Sequence, residues 1–157
     1  MEIQLLFFGK TKKNYLLDEL EAYKKKIQRF IKFSFVCIYE TQNNKKNNIK
    51  FLKEEQYKKI LKRVSSDDIV VLLDEKGKLL NSIDFASEIM NLMNKSKKRI
   101  LFISGGAYGL STKFYDKFPI KISLSPMTFS HQMVRLIFCE QLYRAFTIIN
   151  NHPYHNN

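Results

Sequence analysis

Apolar residues along the chain follow two different periods, one typical of strands and one typical of helices. Short apolar runs predict five strands, at residues 2–9, 33–39, 69–73, 99–103 and 120–124. Between these runs, apolar residues recur at steps of three and four, as in the helix that Asn14 opens, and each such segment predicts a helix. Residues 41–48 are polar throughout and predict a loop.

The alternation of strands and helices predicts the fold class. Because a helix separates each run from the next, we expect an α/β domain with a mostly parallel sheet flanked by helices. The run at 69–73 is continuously apolar, which is typical of a strand buried on both faces, and Glu75 to Gly77 then predict a turn. Residues 1–157 show no internal repeat and no linker, so we expect one domain that binds ligands beyond the carboxyl ends of its strands.

The composition of the chain indicates which class of partner it binds. The formal net charge of +12 predicts an anionic partner, with nucleic acid first and a membrane surface second, although a Lys- and Asn-rich composition also accounts for part of it. The chain has no apolar run long enough to span a membrane and no signal-peptide pattern, so we expect a cytoplasmic protein. Cys37 and Cys139 lie in apolar runs, and we expect neither a disulfide nor a metal site.

Two predicted loops at carboxyl ends of strands are candidates for ligand binding. The segment 103–111, ISGGAYGLS, holds Gly105, Gly106 and Gly109, which let a backbone approach a ligand closely. Its spacing is neither a dinucleotide fingerprint nor a P-loop, and an ordinary tight turn is the alternative. The segment 124–129, LSPMTF, offers backbone groups that could clamp an adenine, or it is a plain connector.

The last predicted helix, residues 130–150, is apolar nearly all round, which indicates either a homodimer interface or a central core helix. Glu140 and Arg144 lie one turn apart and are expected to pair. Arg135 has no acid at helical spacing, so it is free to meet an anion or to lie in an interface. The tail after this helix, with Tyr154 and His155, either stacks on bases and moves protons or is a frayed terminus.

Two segments of the chain resemble a known family. ISGGAYGLS at 103–111 and SLSPMTFSHQMVRLIFCEQLYRAFTIINNHPYH at 123–155 are similar to the RlmH family, SPOUT-class methyltransferases that methylate N3 of a pseudouridine in 23S ribosomal RNA. The resemblance covers the whole chain in length and in the order of its elements. It implies a C-terminal trefoil knot, S-adenosylmethionine as cofactor, a homodimer, and the large subunit or the assembled ribosome as substrate.

The resemblance also implies site residues. Those that match the family's cofactor site are Leu73, Gly105, Leu124, Ser125, Pro126, Met127, Thr128 and Phe129. The candidates for catalysis are His155, Tyr154, His131 and Arg135, and the choice of general base between the two histidines stays open. The family commonly has Pro where this chain has Ser130, which is a good helix N-cap. A non-catalytic ribosome assembly factor of the same fold is the alternative function, but pure RNA binding needs no glycine-lined cavity.

Overall fold

The computed structural model describes residues 1–39 and 48–154, which form a parallel five-stranded sheet between two layers of helices. The strands are β1 (Glu2–Phe8), β2 (Lys32–Ile38), β3 (Asp68–Leu79), β4 (Arg99–Ser104) and β5 (Lys121–Ser123). The helices are α1 (Asn14–Ile27), α2 (Ile49–Leu61), α3 (Ser82–Met93), α4 (Thr112–Lys117) and α5 (His131–Ile149). The sheet order is β2-β1-β4-β3-β5, and every neighbouring pair runs parallel. The predicted fold class and the alternation of elements are therefore confirmed.

Both faces of the sheet are buried, as the continuous apolar run of β3 predicts. Val71 and Phe102 belong to the core that α1, α3 and α5 cover, whereas Leu72 and Ile103 belong to the core that α2 and α4 cover. Adjacent residues of a strand point to opposite faces, so the part of a strand that is buried on both faces is apolar at consecutive positions.

The expected turn at Glu75 to Gly77 is wrong, because β3 continues through these residues to Leu79. The register with β5 shifts between Leu73 and Lys78, so the polar residues lie in an irregular stretch of the strand and not in a reversal of the chain. A Cβ atom at Gly77 would lie 2.6 Å from the backbone of Ile122. The glycine is therefore needed for the close approach of β5 and not for a turn.

Helix α5 begins at His131, and the Ser130 hydroxyl caps it by accepting a hydrogen bond from the Met133 amide at 3.3 Å. The predicted N-cap role of Ser130 is thus confirmed. The loop predicted at 41–48 falls almost wholly on residues 40–47, which lie outside the described ranges. No helix within the described ranges is both long and apolar enough to cross a membrane.

Candidate functional site

A cavity of about 450 Å³ opens beside the middle of β3 and the carboxyl ends of β4 and β5, a volume that suits a small-molecule ligand. Three chain segments form it: the middle of β3, the loop between β4 and α4, and the loop between β5 and α5 with the first turn of α5. Of the predicted cofactor residues, those that line the cavity are Leu73, Gly105, Leu124, Ser125, Met127, Thr128 and Phe129. Pro126 belongs to the same loop but does not line the cavity.

The glycine-rich loop folds back on itself at the cavity wall. The Gly109 amide donates to the Gly106 carbonyl oxygen at 3.0 Å, and Gly109 has a φ of +69°, which favours glycine. A Cβ atom at Gly105 would lie 3.0 Å from the carbonyl carbon of Gly109, tighter than nearly all real contacts. The loop is therefore a tight turn, as one alternative held, and its backbone also lines the cavity.

Short side-chain bonds shape the loop between β5 and α5. The Ser123 hydroxyl donates to the Ser125 carbonyl oxygen at 2.9 Å, and the Ser125 hydroxyl accepts from the Met127 amide at 2.9 Å. These bonds hold the loop in a compact curve beside the glycine-rich turn. The side chain of Met127 is 71% exposed, so the loop presents an apolar surface at the cavity mouth.

The irregular middle of β3 contributes two carboxylates that the sequence analysis did not single out as site residues. Asp74 and Glu75 both line the cavity, directly after Leu73. Asp74 accepts a hydrogen bond from the Tyr115 hydroxyl at 2.6 Å, and Glu75 accepts one from the Thr128 hydroxyl at 3.1 Å. The signal that could have found them is their position, because they directly follow the apolar run 69–73, at the end of the sheet where such folds bind ligands.

Arg135 and His131 occupy the first turns of α5 but point to different surroundings. His131 lines the cavity. Arg135 is fully buried and donates to the Thr11 hydroxyl and to the Phe8 carbonyl oxygen, both at 2.7 Å. The expectation that Arg135 is free to meet an anion is therefore wrong, since its guanidinium lies against β1 and the loop that follows it. Helical spacing reports neighbours on the same helix and carries no information about a strand distant in sequence.

The tail residue Tyr154 lies at the opposite end of α5 from His131. Its ring packs edge-on against Tyr143 at 4.8 Å between centroids, and the Arg144 guanidinium lies 5.0 Å from its centre. Burial, followed by a hydrogen bond with Tyr154, raises the pKa of Tyr23 on α1. Arg144 also pairs with Glu140, with 2.5 Å between Nη2 and Oε1, as predicted. His155 lies outside the described residues.

Comparison with known proteins identifies the family. Residues 1–155 match the family model described as "Predicted SPOUT methyltransferase". The chain belongs to the SPOUT methyltransferase family. Curated relatives named ribosomal RNA large subunit methyltransferase H, from Phocaeicola vulgatus and Christiangramia forsetii, are both 46% identical to it over 156 residues, 99% of either chain. The resemblance to that family is thus confirmed, and the protein is a methyltransferase.

A solved structure agrees on the fold. The structure of a probable methylase family protein from Haemophilus influenzae superposes with a TM-score of 0.53 at 15% identity, covering 99% of this chain and 70% of that one. At this identity the similarity concerns the fold alone. It supports the α/β architecture of this SPOUT methyltransferase.

Proposed function

We propose that this protein transfers a methyl group from S-adenosylmethionine to N3 of a pseudouridine in 23S ribosomal RNA, and that it acts as a homodimer. The observation that carries the proposal is the cavity in which the glycine-rich loop meets residues 124–129. Its relatives are named for methylation of large-subunit ribosomal RNA. The net charge of +12 suits a polyanionic substrate.

The residues of the cavity fit a cofactor of this kind. The wall at Gly105 is backbone without side chain, so a flat adenine can approach the amides and carbonyls of both loops. Leu73, Leu124 and Phe129 supply apolar contacts, and Ser125 and Thr128 supply hydroxyl groups. The chemistry that S-adenosylmethionine supplies is a methyl group on a sulfonium, already activated for transfer.

The chain's own contribution to the reaction is positioning and proton removal. The imide proton of N3 must leave as the new bond to carbon forms, and an imidazole can accept it near neutral pH. His131 lines the cavity and is one candidate. His155, two residues beyond Pro153, is the other. Arg135 is withdrawn from this set because it is buried beside β1.

The length of α5 supports a composite site made by two copies of the chain. The helix has 19 residues, so at about 1.5 Å per residue it separates His131 from the tail by roughly 28 Å. Tyr154 packs on the far end of its own α5, and no bend of a short tail spans that distance. The tail can therefore assist at the cavity only if it belongs to a second copy, which requires a dimer.

The chain after β5 runs past the cavity, where the family resemblance implies a trefoil knot. Strand β5 lies at the edge of the sheet, whereas Arg135 contacts Phe8 on β1, three strands away in the sheet order. Between these points the loop 124–130 passes the glycine-rich loop at the cavity. We include threading of the C-terminal segment through this region in the proposed function.

A methylation assay tests the proposal. Large subunits or assembled ribosomes that lack the modification would be incubated with the protein and S-adenosylmethionine labelled in the methyl group. We expect label in 23S RNA, recovered as methylated pseudouridine after digestion. Gly105→Val should abolish incorporation, because its side chain meets the backbone of Gly109, while Lys62→Ala, at the exposed residue directly after α2, serves as control. Label in another nucleoside, or none with either substrate, would contradict the proposal.

A further inference from the structure

The charge of the cavity is opposite to that of the protein. Asp74 and Glu75 line it, and none of the lysines and arginines among the described residues does. The whole chain carries a formal net charge of +12. An acidic cavity in so basic a chain raises the question of which cationic group it receives.

Asp74 is held in a fixed orientation by two donors. Its Oδ2 accepts from the Tyr115 hydroxyl at 2.6 Å, and its Oδ1 accepts from the Lys76 amide at 2.9 Å. Tyr115 is on α4, so the hydrogen bond ties the middle of β3 to the helix that follows the glycine-rich loop. Burial, and then the bond to Asp74, raises the pKa of Tyr115, so the phenol remains a donor at neutral pH.

The cofactor and its product differ in one charge. S-adenosylmethionine carries a sulfonium, whereas the thioether left after methyl transfer, S-adenosylhomocysteine, is neutral at that sulfur. The adenosine and amino-acid groups are common to both. A carboxylate held in the cavity wall therefore stabilises the first more than the second, since attraction between unit charges extends over several ångströms in a partly desolvated site.

We propose that Asp74, positioned by Tyr115, makes the cavity select the cationic cofactor over its neutral product. This inference rests on the proposed function, because it takes S-adenosylmethionine as the ligand. Asp74 is then a specificity-determining residue and Tyr115 a positioning residue. The consequence is that the product dissociates more readily than the cofactor, and the cavity is cleared for the next turnover.

Calorimetric titration with both ligands tests this inference without any activity measurement. We expect the native protein to bind S-adenosylmethionine more tightly than S-adenosylhomocysteine. Asp74→Asn should weaken binding of the cofactor about tenfold while changing binding of the product less than about threefold. Tyr115→Phe should shift the ratio of the two affinities in the same direction by a smaller factor, because the carboxylate loses its orientation but keeps its charge.

Asp116→Asn is the matched control. It removes the same charge from the residue beside Tyr115, on an exposed position of α4 away from the cavity lining, and should leave both affinities unchanged. Far-ultraviolet circular dichroism would establish that each variant is folded. If Asp74→Asn does not fold, the affinities of Tyr115→Phe for the two ligands still test the inference.

The outcomes separate the inference from the function on which it rests. The charge selection would be overturned if Asp74→Asn weakened the binding of both ligands by the same factor. It would also be overturned if the native protein bound both with equal affinity. Either result would leave the methyltransferase proposal standing. Absence of binding by either ligand to the native protein would overturn both.

Discussion

Among the described residues, Arg135 is the largest side chain that the fold buries completely. Its guanidinium stacks 4.0 Å from the centre of the Phe7 ring and bonds to Phe8 and Thr11, but no described residue accepts a hydrogen bond from its Nε. Burial lowers the pKa of Arg135 to about 10, and no described carboxylate pairs with it. The guanidinium thus carries a cost of desolvation, and in return it ties the first turns of α5 to the loop after β1.

From this arrangement we expect Arg135→Lys to be more destabilising than Arg135→Met. Lysine keeps the buried charge but cannot bond to two acceptors as the planar fork does, whereas methionine removes the charge and keeps the apolar stem. We expect Arg135→Lys to lower the free energy of unfolding by about 2–3 kcal/mol and Arg135→Met by less. Urea denaturation measures both, with Arg29→Lys at an exposed position as control. Native stability of Arg135→Lys would show that the fork is not needed.

At the opposite end of the strands, where β3 and β4 begin, Asp68 and Arg99 form a bidentate ion pair. Arg99 donates to the two carboxylate oxygens at 2.9 and 2.7 Å, and the Asp68 side chain is only 2% exposed. Burial alone would raise the pKa of Asp68, but the bonds from Arg99 and the Ser65 amide outweigh it, so the pKa is lowered.

The lowered pKa of Asp68 determines how the stability of the fold depends on pH. The charged carboxylate stabilises the fold above its ordinary pKa, and this contribution is lost as the pH falls through the lower value of the folded state. Asp68→Asn should therefore cost about 3 kcal/mol at neutral pH, and the difference from the native protein should shrink under acid conditions. Asp67→Asn, which removes a half-exposed ion pair with Lys98, should cost less than about 1 kcal/mol. A difference independent of pH would contradict the assignment.

At the scale of the elements, the contact between β3 and β5 decides whether the cavity exists. The second part of β3 pairs with β5 only because Gly77 lets the backbone of Ile122 come within 2.6 Å of where a Cβ atom would stand. Asp74 and Glu75 lie in the irregular stretch between the two registers, and residues 124–129 follow β5 directly. The pairing therefore brings Asp74 and Glu75 together with residues 124–129 at the cavity.

Gly77→Ala tests this dependence. The added methyl group meets backbone, which cannot swing aside, so β5 must move. We expect the free energy of unfolding, measured with urea, to be about 1–3 kcal/mol lower than that of the native protein. The amide of Ile122 should also exchange faster with deuterium. Lys76→Ala, one residue earlier and exposed, should change neither measurement. Unchanged exchange at Ile122 in the glycine variant would mean that β5 does not depend on this contact.

At the scale of the whole molecule, a dimer with shared sites predicts complementation. A chain with Gly105→Val lacks a usable cavity but keeps its tail, and a chain truncated after Pro153 lacks Tyr154 and His155 but keeps its cavity. Each should fail to methylate RNA as a homodimer, while the truncated chain should still bind the cofactor. In an equal mixture, subunit exchange should restore about a quarter of native activity, because half of the dimers then hold one complete site.

Incorporation of labelled methyl groups by the mixture measures this recovery. The control is a chain that carries both Gly105→Val and the truncation. Mixed with either single variant, it should give no activity, because no dimer then combines an intact cavity with a tail. Full activity of the truncated homodimer would contradict a role for the tail. Failure of the mixture, with subunit exchange verified by mass spectrometry, would contradict a site shared between chains.

The fold could be predicted well from the sequence because burial on both faces of a sheet produces a local pattern of apolar residues. The apolar run at 69–73 and the steps of three and four in the helices reflect which neighbours each residue packs against. The site was predicted from the glycines at 105, 106 and 109 and from resemblance over 123–155, and all but one of the proposed cofactor residues line the cavity. Pro126 is the exception, since its loop curves so that its neighbours face inward.

Only the tertiary structure decided the partners of the polar residues. Asp74 meets Tyr115 from 41 positions away, and Arg135 meets Thr11 from 124 positions away. No periodic pattern encodes such pairs, because they depend on how the strands are ordered and on which face each helix covers. The sequence alone thus determined the elements, the fold class and the family. The folded chain decided that Arg135 is structural, that Gly77 is a contact and that the cavity is acidic.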